Sequence, residues 1–76
     1  MKDQTSLLNE ILINYSKGNK NKEYKKLKKF SIKFPKNEKI LFNIALMEED
    51  QGLYTQAKNS YKYFIENYNN YNASIK

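Results

Sequence analysis

Apolar residues recur along this chain at intervals of three and four, without the strict alternation of a half-buried strand. In the first stretch Leu7, Leu8, Ile11, Leu12 and Tyr15 fall at i, i+1, i+4, i+5 and i+8. A second stretch sets Tyr24, Leu27, Phe30 and Phe34 on one side and Lys22, Lys26, Lys29 and Lys33 on the other. Ile40, Leu41, Ile44, Ala45 and Met47 form a third, and Ala57, Tyr61, Phe64, Ile65 and Tyr68 a fourth. Gly18, Pro35 and Gly52, the only glycines and proline, fall at the breaks between them. Glycine takes the left-handed conformation that ends a helix, and the residue before a proline is pushed out of the helical region. Asp3, Thr5 or Ser6 suits the start of the first stretch and Asn37 the start of the third. The pattern predicts an all-α fold of four helices, at about residues 5–17, 20–34, 37–51 and 54–68. Short breaks between neighbours make two antiparallel hairpins.

Gly18 and Gly52 lie 34 residues apart, and the same offset aligns more than glycine. Leu7 falls on Leu41, Asn9 on Asn43, Leu12 on Leu46, Lys28 on Lys62 and Phe30 on Phe64. Leu8 falls on Phe42, Leu27 on Tyr61 and Phe34 on Tyr68. A helix–turn–helix period of this length resembles the tetratricopeptide repeat. In the second copy Leu41, Ile44, Ala45, Glu48, Gly52, Tyr54, Ala57 and Tyr61 occupy the places of that family's Trp, Leu, Gly, Tyr, Gly, Tyr, Ala and aromatic. Ala45 and Ala57 are small where two helices of one hairpin must approach closely. The first copy matches at Leu7, Gly18, Leu27, Phe30 and Pro35 and departs at Glu10, Ile11, Lys20 and Glu23, so its hairpin is expected to be less tightly packed. The resemblance implies a single domain over residues 1–76, a short α-solenoid with repeat one at about 4–37, repeat two at about 38–71 and a tail at 72–76.

Tetratricopeptide repeats are binding scaffolds, and the first helix of each hairpin lines a concave groove. The resemblance therefore implies a protein or peptide partner, no enzymatic activity and no cofactor or metal. It places Thr5, Leu8, Asn9, Leu12 and Tyr15 beside Lys39, Phe42, Asn43, Leu46 and Glu49 along that groove. The residue pattern is compatible with this, because Leu8, Leu12 and Tyr15, like Phe42, Leu46 and Glu49, form a second stripe beside the Leu7–Ile11 and Leu41–Ala45 side. A helix apolar on two sides is buried on two sides, so both stripes entering one core is the competing reading. Asn9 and Asn43 can each donate to and accept from a ligand's backbone. A carboxylate clamp of the family's chaperone-binding kind is not implied: Asn43 matches one clamp position, but Leu8 and Leu12 replace its Lys and Asn.

Composition narrows the chemistry. The 76 residues contain no cysteine and no histidine, which excludes disulfides, thiol and imidazole chemistry and the usual zinc sites. The remaining carboxylates, Asp3, Glu10, Glu23, Glu38 and Glu66, have no paired spacing for acid–base work. The longest uninterrupted apolar run, Ile44–Met47, is too short to span a bilayer, and the first residues do not form a secretory leader; the expected location is cytoplasmic. Lysine, asparagine, isoleucine and tyrosine are abundant and arginine is missing, a bias towards A/T-rich codons that makes lysine a default surface residue here.

Net charge is +6, concentrated in the first half. The stripe Lys22, Lys26, Lys29 and Lys33 can neutralise phosphates or anionic lipid heads. Without arginine it offers charge but no base readout, so non-specific nucleic-acid binding is the alternative function, and a solvated outer face the simpler one. Glu48-Glu49-Asp50 sits at the negative end of the third helix dipole, which is unfavourable unless lysine from the second helix lies nearby or a basic partner docks there.

Two repeats leave open ends, since repeat arrays commonly need three or more units and a polar cap. Tyr61, Phe64, Ile65 and Tyr68 give the fourth helix more apolar surface than one neighbour covers. The expectation is a homodimer, through this helix and the tail or through the groove. The other readings are a monomer whose tail folds back as a partial cap, or a different protein partner on these faces.

Overall fold

Asp3 and Asn37 each accept a hydrogen bond from the backbone N–H three residues on, Ser6 at 2.8 Å and Ile40 at 3.2 Å. These are N-caps, one side-chain oxygen satisfying a donor that the first helical turn leaves unpaired. In the computed structural model, which describes the backbone of residues 3–75 and the side chains of residues 3–67, they open helices α1 (Gln4–Ser16) and α3 (Glu38–Asp50). Helices α2 (Lys20–Lys33) and α4 (Tyr54–Ile75) follow each of them. There is no strand among the described residues.

The 34-residue offset holds at the level of the backbone. The starts of α1 and α3, their ends, and the starts of α2 and α4 are all 34 residues apart. Both glycines have positive φ, +109° at Gly18 and +79° at Gly52, where a Cβ is strained. Around them the hydrogen bonds repeat. Lys17 N–H to Ile13 C=O matches Gln51 to Met47, and Gly18 to Tyr15 matches Gly52 to Glu49. Asn19 to Asn14 matches Leu53 to Glu48. Two helical hairpins are thus closed by the same turn. Between them the chain leaves α2 at Phe34, whose φ of −127° and ψ of 69° are no longer helical, as Pro35 requires.

The core forms where the hairpins meet. Leu8 and Ile11 of α1, Tyr24 and Leu27 of α2, and Ile40, Ile44 and Met47 of α3 form one buried cluster. Leu12, Tyr15, Phe30, Phe34 and Leu53 pack around it. Leu41, Ala45 and Ala57 are buried as well, the two alanines within the more extensively packed second hairpin. The first copy has Glu23 at the place of Ala57; it is 3% exposed, and its Oε1 has no hydrogen-bond partner.

Two expectations change. α4 does not stop near residue 68 but continues to Ile75, so the stretch taken as a tail is helical in its described part. No glycine or proline follows Gly52, and nothing in the backbone ends the helix earlier. Leu8, assigned to the groove, is a core residue at 4% exposure, because it belongs to the buried cluster that α1, α2 and α3 share.

Candidate interaction surfaces

Equivalent positions in the two hairpins have different neighbours, and this sorts the groove candidates. Leu8 is covered by the core that α3 completes, whereas its counterpart Phe42 remains 40% exposed. Leu12 is half-buried against the core, and its counterpart Leu46 is 41% exposed. Thr5, Asn9 and Lys39 are exposed. Asn43 is half-buried, with its Nδ2 donating to the Lys39 carbonyl one turn back at 2.7 Å. Tyr15 is half-buried, its hydroxyl donating to Asp50 Oδ2 at 2.6 Å with the Met47 carbonyl 3.3 Å away. The α1 half of the expected groove is largely spent inside the fold; the α3 half is open.

Phe42 joins two sets of residues that the sequence keeps apart. Its ring lies 6.0 Å from that of Tyr61 and 5.3 Å from that of Phe64, tilted at 64° and 49°, within the range of favourable aromatic pairs. The expected groove and the expected self-association surface are therefore adjacent. Ile65 on α4 is 52% exposed. Beside Tyr61 and Ile65, a shallow depression is bordered by Glu49 and Glu66 and by Lys58 and Lys62. The Tyr61 hydroxyl donates to Glu49 at 2.8 Å; partial burial, then this carboxylate, raises its pKa. The side chain of Tyr68 lies outside the described residues.

The acidic triplet divides among all three other helices. Glu48, 1% exposed, accepts from Tyr24 of α2 at 2.5 Å through Oε2 and from Ser60 of α4 through Oε1. Glu49 accepts from Tyr61 of α4. Asp50 accepts from Tyr15 of α1 and pairs with Lys20 Nζ, the first residue of α2, at 3.0 Å. A lysine of the basic helix does stand beside the triplet. The pKa of Asp50 is lowered by Tyr15 first and Lys20 second. Burial, then Asp50, pushes Tyr15 up to about 12, and burial, then Glu48, raises Tyr24. Sequence reasoning missed these contacts; the available signal was three tyrosines and three adjacent acids within the same two repeats.

The lysine stripe borders a groove. Leu7 and Ile11 of α1 and Phe30 of α2 form its apolar floor; Lys26, Lys29 and Lys33 line it from α2, and Glu10 from α1. Its volume is about 310 Å³. Lys22 is exposed but is not among the lining residues.

No group of three or more metal-binding acidic side chains occurs among the described residues, and none of their helices is long and apolar enough to cross a membrane. No family model, no curated protein and no solved structure matches this chain.

Proposed function

We propose that this chain is a protein-interaction module of tetratricopeptide kind, and that the open end of the second hairpin is its binding face. One observation carries the reading. Phe42, Leu46 and Ile65 are each at least 40% exposed; Phe42 packs on the rings of Tyr61 and Phe64, Leu46 follows it by one turn on α3, and Ile65 borders the same depression as Tyr61. Contiguous exposed apolar surface on a small domain marks an interaction site, and at the equivalent face of the first hairpin Leu8 is covered by a helix. A peptide or helix lying across α3 and α4 would cover the second face in the same way.

The charges on this face favour a second copy as an occupant. Glu49 and Glu66 lie in the same depression as Lys58 and Lys62. Across a two-fold axis residue i of one copy meets j of the other while j meets i, so a face with both signs of charge can be complementary to itself. The test is affinity capture with wild-type protein and with Leu46→Asp as baits, each added to tagged wild type. Capture by wild type and loss with Leu46→Asp supports the face; equal capture by both removes it.

A further inference from the structure

We propose that the lysine-bordered groove between α1 and α2 binds an acidic amphipathic helix from another protein. This site is separate from the open face of the second hairpin and does not depend on it. Its walls come from the first hairpin alone, with Leu7 and Ile11 one turn apart on α1 and Phe30 facing the same space from α2. The same hairpin already holds a helix: Leu8, Ile11, Tyr24 and Leu27 receive Ile40, Ile44 and Met47 of α3. Two helices that cradle a third on one side present a second groove of the same kind on the other. Ridges of side chains about a turn apart fit such grooves at interaxial distances of about 8–10 Å.

Charge selects the occupant. Lys26, Lys29 and Lys33 are exposed along one edge, at i, i+3 and i+7, against one carboxylate, Glu10, on the α1 side, so the lining keeps a positive excess. That spacing covers about 10.5 Å at 1.5 Å per residue, the rise of two turns in a partner helix. Carboxylates at i, i+3 and i+7 of the partner meet all three ammonium groups while its apolar side chains enter the floor. A second copy does not meet this need, because its open face carries lysines 58 and 62 beside its two glutamates. A phosphate backbone answers the charge but leaves the half-buried Leu7 and Phe30 unused.

The probe is a fluorescein-labelled helical peptide of about 18 residues, long enough to form in water, with leucines along one face and glutamates flanking it. Fluorescence anisotropy with the full chain is expected to give saturable binding that weakens with added salt. Lys26→Glu with Lys29→Glu and Lys33→Glu is expected to weaken it by roughly tenfold or more, the sum of about three exposed ion pairs. Lys17→Glu, at an exposed lysine outside the groove, should leave it unchanged. The triple-glutamate variant should in turn bind the same peptide with lysines replacing its glutamates, which also shows that the variant is folded. The proposal is overturned if the peptide does not bind. It is overturned equally if replacing the leucines by serine leaves binding intact, or if duplex DNA or phosphatidylserine vesicles bind at the same lysines as tightly.

Discussion

The Tyr24 hydroxyl donates to Glu48 Oε2 at 2.5 Å, joining the two hairpins inside the junction that forms the core. Glu48 takes its second hydrogen bond from Ser60, so one buried carboxylate joins α2, α3 and α4. Removing an acceptor from a buried network leaves its donors unsatisfied at about 1–3 kcal/mol. Glu48→Ala is therefore expected to lower unfolding free energy by about 2–4 kcal/mol, adding the space left behind. Tyr24→Phe should cost about 1–2 kcal/mol. Urea titrations of both single variants and the double variant should give a coupling of at least about 0.5 kcal/mol. Additive losses would show that the two groups act independently.

Three tyrosines have raised pKa values, Tyr15 to about 12 and Tyr24 and Tyr61 in the same direction. In each case the neutral phenol is the donor to a carboxylate, and an unfolded tyrosine titrates near 10. The stabilisation is complete below about pH 10, where the phenol is neutral in both states, and is lost as pH rises towards the folded value. Thermal midpoints between about pH 8 and 12 should fall across that upper window, and the fall should be shallower in Tyr24→Phe than in wild type. Parallel curves would contradict this assignment.

The hairpin turns make a backbone prediction. A Cβ at either glycine meets nothing within 4 Å, so any cost of alanine there is conformational. At positive φ it is about 1–2 kcal/mol. Gly18, at +109°, lies further from the left-handed minimum near +57° than Gly52 does. Chemical denaturation should therefore find Gly18→Ala at least as destabilised as Gly52→Ala; a cost near zero at both would contradict the turn geometry.

Glu23 gives the opposite sign. It is a buried carboxylate at the place where the second hairpin has Ala57, and one oxygen lacks a partner. Replacing a buried polar group that lacks a full set of partners by a well-packed apolar side chain of similar size ranges from neutral to stabilising by up to about 4 kcal/mol. Glu23→Met is expected to raise the urea midpoint. A lowered midpoint would mean that the carboxylate contributes to the first hairpin.

The fold was legible because its signals are local. Gly18, Gly52 and Pro35 end helices by backbone chemistry, Asp3 and Asn37 start them by side-chain chemistry, and the 34-residue offset follows from both. The end of α4 was not, since its Asn- and Tyr-rich last turns contain no residue that forbids a helix. Exposure at the expected groove positions was half legible. Leu8 and Phe42 occupy equivalent positions with similar side chains, yet one is core and the other open. The difference lies in what packs beside each helix, which periodicity within one helix does not encode. The roles of Glu48, Glu49 and Asp50 were hidden for the same reason: three consecutive residues on a helix point about 100° apart and reach different partners.

The claim that Phe42, Leu46 and Ile65 form an interface is tested most directly by sedimentation equilibrium at micromolar concentrations. The wild-type chain is expected to approach twice its 9.1 kDa mass as concentration rises. Leu46→Asp and Ile65→Lys should each remain at the monomer mass with unchanged helical content. A wild-type chain that stays at 9.1 kDa throughout, or variants that dimerise as wild type does, would contradict the account.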